Sequence, residues 1–281
     1  MFRIRTRSIT SHRESATDVE GAAVAFAWMP RMSAWATCSP DGKLRLTGDP
    51  SEFVEGAICR PTAMCRCGAF SVAVRQETQD ALWEVNLRSD VCRRMVGVAN
   101  SSAYGGMNRS GEELGGMCSD GGRGVYFASS LAHRLYHCDG DDRMSMFAGS
   151  GRRGMTVSDN LRLVSFDGPR GVAVSNGKLV VADTGNSVLR VFDLGSSGVH
   201  SAVVGRVGSK EPRDGATGAA GFVSPTFVAA DGGVVFVADG WRLRLVDLAA
   251  GTVSTVDWSP SGRVVGLAAK SPDEVAWLEE T

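Results

Sequence analysis

Apolar residues in this chain come in short runs, each cut off by glycine, asparagine, aspartate or serine, and the runs recur in a fixed order. The clearest stretch begins at Phe166 and reads F-D-G-P-R-G-V-A-V-S-N-G-K-L-V-V-A-D-T-G-N-S-V-L-R-V-F-D-L, closing at Val203-Val204-Gly205. Its four runs, Gly171–Val174, Lys178–Ala182, Val188–Phe192 and His200–Val204, predict four short antiparallel strands joined by turns. The pattern returns at Phe222 and Pro225, with V-V-F-V-A-D-G, L-R-L-V-D-L and a close at Ser254 to Val256. A looser copy holds Leu114, Met117, G-V-Y-F-A-S-S, R-L-Y-H-C-D and Phe147-Ala148-Gly149. Before it stand Ile58, Pro61, F-S-V-A-V, A-L-W-E-V-N-L and Met95-Val96-Gly97.

Opening positions 61, 117, 169 and 225 are spaced 56, 52 and 56 residues apart, and closing positions 97, 149, 205 and 257 by 52, 56 and 52. A repeat of this length marks a repeated structural unit. One four-stranded sheet cannot bury both of its faces alone, whereas sheets stacked radially around an axis bury them against each other. An all-β propeller follows, with its best-defined repeats over 53–97, 110–149, 159–205 and 214–257. Partial repeats flank them at 18–48 and 263–279. In the first, Asp18, Phe26 and Pro30 match the opening pattern, followed by runs at Met32–Thr37 and Lys43–Thr47. In the second, Arg263–Ala268 and Glu274–Leu278 match two strands. Residues 2–9 fall where a fourth strand would complete the C-terminal blade, so the two ends of the chain are expected to close the ring. The short step from Pro30 to Pro61 leaves the first blade about two strands short, and the last blade shows no third strand. Six blades are expected, with five as the alternative.

The Phe166 unit resembles the NHL repeat, above all in P-R-G-V-A-V, L-V-V-A-D-T-G-N and L-R-V-F-D-L. The lead-in D-x(n)-F-x-x-P and the S-T-V or V-V-G close look like the variant found outside the RNA-binding NHL proteins. The resemblance is strong over 150–257, moderate over 53–149 and weak at the ends. It implies a TolB-like, six-bladed propeller used as an interaction surface. It names no ligand, since a fold does not fix a function.

Composition agrees with many tight turns. There are 35 glycines, about 12% of the chain against a usual ~7%, and only nine prolines. Thirty basic and 31 acidic side chains leave a net charge of -1, without the basic excess that favours nucleic-acid binding. The seven cysteines all lie between Cys38 and Cys138. Their odd number and the lack of C-x-x-C spacing favour reduced, packed thiols in an intracellular and cytoplasmic setting over a disulfide framework. Cys65 and Cys67 are expected on one face of a strand. Arg3, Arg5, Arg7 and Arg13, with no acid before Glu14, also resemble a mitochondrial presequence. Alternation with Phe2, Ile4 and Thr6 favours a strand. No apolar run reaches membrane-spanning length.

Candidate chemistry is sparse. Asp183 and Asn186, with Asp239 in the next unit, invite a metal or catalytic reading, but Asp and Asn in turns also bond nearby backbone. Alignment places Ser129, Arg75, Thr47 and Glu279 at the same position. If these positions share a rim, Asp183, Asp239 and Glu279 against Arg75 give it mixed charge. His133 and His137 are about 13 Å apart on one strand, too far to share a zinc ion. G-S-G-R-R-G at 149–154 has no helix to make it a phosphate loop. Asp120 is the only acid read on the inner strands, so a metal-dependent, gluconolactonase-like hydrolase is the weaker alternative. No cofactor or metal is expected. Trp241 and Arg242, in the turn after Asp239, are residue types typical of interaction hot spots. The polar loop 205–221, with those at 98–113 and 150–160, is expected on the same end and on the partner-facing side. The sequence thus favours a protein-binding scaffold or subunit, with RNA binding third.

Overall fold

The computed structural model describes residues 2–19, 23–47, 49–53, 58, 61–76, 82–89, 91–96, 116–141, 143–195, 201–258 and 260–280. They form six antiparallel sheets arranged as the blades of a propeller. Blade four shows the plan: Pro169–Ser175 lines the central channel, then Lys178–Asp183, Val188–Asp193 and Ser201–Val204 step outward. Blade two runs Pro61–Arg66, Ser71–Gln76, Leu82–Asn86 and Val91–Val96. Blade three runs Met117–Ser119, Val125–Ser129, Arg134–Cys138 and Met144–Ala148. Blade five runs Pro225–Asp231, Val234–Asp239, Arg242–Asp247 and Thr252–Val256, with Gly215–Ala216 paired on its outside.

Both faces of each blade are buried, which is why the second strands read as unbroken apolar runs. In Lys178–Asp183, Leu179 and Val181 pack toward blade three, while Val180 and Ala182 pack toward blade five. Six apolar clusters fill the six seams between blades. Where inner strands meet at the channel, backbone approaches backbone. A Cβ on Gly171 would lie 2.5 Å from the Thr226 carbonyl oxygen and 2.7 Å from the Val228 nitrogen.

Blade one is complete, which corrects the expectation of a half blade and removes the five-bladed alternative. Its strands are Ala25–Met29, Ala34–Cys38, Leu44–Leu46 and Asp49–Phe53. Pro30 follows the inner strand in a turn instead of opening it, so Met32–Thr37 spans a turn and the second strand, and Thr47 lies after the third strand. The blade fits into few residues because its third strand has only three.

Blade six closes the ring with strands from both ends of the chain: Arg263–Ser271, Glu274–Glu280, Phe2–Ser8 and Glu14–Val19, in that order outward. Residues 2–9 therefore carry the third strand, not the fourth, and they supply the strand the last repeat lacked. Phe2 sits between Glu280 on one side and Val19 on the other. Ile4, Ala276 and Leu278 pack against Phe26 and Trp35 of blade one.

Strand direction gives the propeller two unlike ends. The connectors between blades and the turns joining second to third strands share one end, called here the loop end. Turns joining first to second strands share the other, the turn end.

Candidate functional site

The two long connectors at the loop end, 149–168 and 205–224, are held by the same buried device. Asp183, at the end of a second strand, is 0% exposed and accepts the Asp167 backbone N–H at 2.7 Å and the Asn186 side-chain amide at 2.8 Å. Arg190, also 0% exposed, lies 3.5 Å from that carboxylate and donates to the carbonyls of Ser165 and Thr156, its guanidinium over the Phe166 ring. In blade five, Asp239 accepts the N–H groups of Val223 and Ser224. There Arg244 donates to the carbonyls of Gly221 and Arg213 and lies over Phe222. A buried charge needs a partner and hydrogen bonds; each acid and arginine here is the other's charge partner, and the connector's backbone supplies further hydrogen bonds to both. Burial raises the Asp183 carboxyl above the usual range and lowers the Arg190 guanidinium.

Blade six repeats the device with its two members at opposite ends of the chain. Glu279 is 0% exposed. It accepts Arg5 Nε at 2.5 Å, Ser261 N at 3.1 Å, Ser261 Oγ at 2.8 Å and Trp277 Nε1 at 3.3 Å. Burial by itself would raise this carboxyl, but the bonds from Ser261, Arg5 and Trp277 outweigh it and hold it below the usual range. Strand register also corrects the alignment in blade two. Pro61 faces Gln76, as Pro169 faces Asp183 and Pro225 faces Asp239. Gln76 accepts Trp83 Nε1 at 3.0 Å, a neutral version of the same pair. Arg75, one residue earlier, is 4% exposed with its guanidinium over the Phe127 ring.

Asp183, Asp239, Arg75 and Glu279 thus lie beneath the loop end and leave its surface charge to other residues. Arg190 and Arg244 were not singled out in the sequence, and Arg5 stood out only as one of the N-terminal arginines. The signal that finds them is an arginine two positions along the third strand from the residue that faces the acid.

Trp241 is different. It sits in the tight turn between Asp239 and Arg242, is 71% exposed, and carries the Arg242 guanidinium 4.8 Å from its ring centre. Among the described residues six large apolar side chains stand mostly in solvent. Five of them, Leu131, Val157, Leu163, Val207 and Trp241, lie on the loop end across blades three to five. Hydrogen bonds stitch this arc together. Gly168 N donates to His133 Nδ1, Asn186 Nδ2 to the Gly154 carbonyl, Gly208 N to the Asn186 carbonyl and Thr184 Oγ1 to the Pro225 carbonyl. The expected loop at 98–113 lies outside the described residues.

The central channel offers less chemistry. Its wider half, toward the turn end, has a cavity volume of about 380 Å³ and is lined mainly by small apolar residues of the inner strands. Arg66, Asp231 and Lys270 stand at its mouth. Asp231 ends an inner strand and replaces Asp120 as the acid of the channel; Asp120 turns aside to His137 Nε2 at 3.0 Å. Lys270 is bonded to Glu274 at 2.9 Å and lies over Trp28. Among the described residues no three His, Cys, Asp or Glu gather closely enough to hold a metal ion. Cys65 and Cys118 line the channel and Cys67 packs in the seam between blades two and three; burial pushes their thiols up, that of Cys67 to about 12. Among the described residues no helix is long and apolar enough to cross a membrane.

Residues 166–192, which hold most of the acid–arginine device of blade four, match the family model described as the NHL repeat. No curated protein matches the chain in sequence. Solved structures share its fold. A Bacteroides thetaiotaomicron structural-genomics protein aligns at TM-score 0.65 and 13% identity over 99% of this chain and 76% of its own. A catalytically inactive virginiamycin B lyase from Staphylococcus aureus, solved with quinupristin, aligns at 0.61 and 8% over 96% and 85%. A gluconolactonase from Xanthomonas campestris aligns at 0.56 and 13% over 97% and 91%. At these identities the likeness is one of fold.

Proposed function

We propose that this six-bladed propeller with an NHL repeat is a non-enzymatic interaction platform, a scaffold or subunit that receives a protein partner on its loop end. One observation carries the reading: among the described residues, the large apolar side chains left in solvent are concentrated on that end, over three consecutive blades. Clustered exposed apolar surface marks an interaction site, whereas single exposed residues do not. Trp and Arg are the residues most enriched where binding energy is concentrated, and Trp241 with Arg242 puts both in one turn. The connectors that present Val157, Leu163 and Val207 are pinned from below by buried ion pairs, so little ordering is needed on binding.

The hydrolase reading draws less support. Metal-assisted hydrolysis needs several converging oxygen or nitrogen ligands, and the described channel lining brings one carboxylate, Asp231, to its mouth.

The test is native mass spectrometry of the protein gently purified from its own cells, alongside Trp241→Ala and Arg66→Ala. A stoichiometric protein complex that survives Arg66→Ala and is lost with Trp241→Ala is the expected result. A monomer, or a complex lost only with the channel-mouth variant, overturns the reading.

A further inference from the structure

The loop-end arc has a charge as well as an apolar character. Exposed basic side chains on its two connectors are Arg152, Arg153, Arg162, Arg206, Lys210 and Arg213, against the exposed acids Asp159, Glu211 and Asp214 and the half-buried Asp167, which pairs with Arg153 Nε at 2.8 Å. Asp214 is engaged from below by Arg244 Nη2 at 2.9 Å and by Thr255. Arg242 adds a further cation over Trp241. The whole chain carries a net charge of -1, so this surplus is local to the arc and opposite in sign to the chain.

Resting on the interaction reading above, we propose that the partner of this arc is an acidic protein segment bearing aliphatic or aromatic anchor side chains. Complementary charge brings such a segment to the arc and sets its register. Leu131, Val157, Leu163 and Val207 then receive its apolar side chains, and Trp241 anchors it at the blade-five end of the arc. A nucleic acid would share the charge complementarity but not the rest. Single strands bind by stacking bases on several aromatic faces. The exposed large apolar residues of the arc are aliphatic except for Trp241, one face of whose ring is covered by Arg242.

Fluorescence anisotropy with defined probes tests this on the full chain. The probes are a labelled Glu-Glu-Leu-Phe repeat peptide, its Glu-Glu-Ser-Ser counterpart, a Lys-Lys-Leu-Phe counterpart and a labelled single-stranded oligonucleotide. Glu-Glu-Leu-Phe is expected to bind at least about tenfold tighter than each of the others, the contribution of one good anchor. Its affinity is expected to fall several-fold as salt rises from about 0.05 to about 0.5 M. Trp241→Ala and the charge reversals Arg206→Glu and Lys210→Glu are each expected to weaken it about tenfold or more. Circular dichroism of the three variants should match the parent, since these side chains are exposed. Tighter binding of the oligonucleotide, or equal binding of the acidic and basic peptides, overturns the proposal. Peptide failure with the Trp241-dependent complex intact refutes only the partner chemistry. Peptide binding without any cellular complex refutes instead the scaffold reading.

Discussion

Replacing Glu279 by alanine isolates the contact that joins the two ends of the chain. Its fully buried carboxylate accepts four hydrogen bonds, from Arg5, Ser261 twice and Trp277. Removing one partner of a buried ion pair costs about 3–5 kcal/mol, because the other charge is left uncompensated. The Arg5 side chain is 22% exposed and water can partly rehydrate it, so the expected loss is about 2–4 kcal/mol. For a domain of this size that is a fall in Tm of about 3–7 °C. Urea denaturation followed by tryptophan fluorescence measures it, with Glu279→Gln as the control that keeps an acceptor and loses about 1–2 kcal/mol. The folded-state pKa of Glu279 is depressed, so its ionisation stabilises the fold above the unfolded value of about 4.3. That contribution is lost as pH falls from there through the folded pKa. The parent should therefore lose its advantage over Glu279→Gln progressively as pH falls below about 4.5. An alanine variant within about 0.5 kcal/mol of the parent at neutral pH refutes the assignment of this pair to ring closure.

Other perturbations read other parts of the structure. Gly171→Ala drives a methyl group into the backbone of blade five and should cost about 1–3 kcal/mol in urea titrations, while Gly218→Ala, where a Cβ meets open space, should cost less. Arg244→Met strands the Asp239 carboxylate and two connector carbonyls; a loss of about 3–5 kcal/mol is expected, with hydrogen exchange quickening first over 205–224. The Cys38 and Cys67 thiols, pushed to about 12 by burial, should resist alkylation at pH 8 in the native protein and react once urea unfolds it, as read by peptide mass spectrometry.

The parts of the fold legible in the sequence are those buried on both faces. Lys178–Asp183 and Val234–Asp239 announce themselves because every side chain between the first residue and the aspartate is apolar. Glu14–Val19, the outer strand of blade six, is exposed at every position but Val19. It therefore carries no apolar pattern, and Phe2–Ser8 was placed one strand too far out. Blade one was misread for a related reason. Pro30 looks like an opening proline, and Leu44–Leu46 is too short for any periodicity to show. At the loop end, Trp241 and Arg242 were visible as residue types in a turn, while the aliphatic arc around them was not. Leu131, Val157, Leu163 and Val207 share one end of the molecule only through the radial stacking of blades. The buried arginines escaped because a charged residue on a strand reads as surface until its partner is known.

The closing blade also constrains how the molecule can be made. Ile4 finds its neighbours Ala276 and Leu278 only after nearly the whole chain has been synthesised. Contacts of such sequence separation form late and slowly. Until then Phe2–Ser8 is a strand without its inner partner, the kind of unpaired edge that recruits chaperones or other chains. A circular permutant that joins residue 280 to residue 2 and opens the ring between two other blades would turn this last, long-range event into the pairing of adjacent hairpin strands.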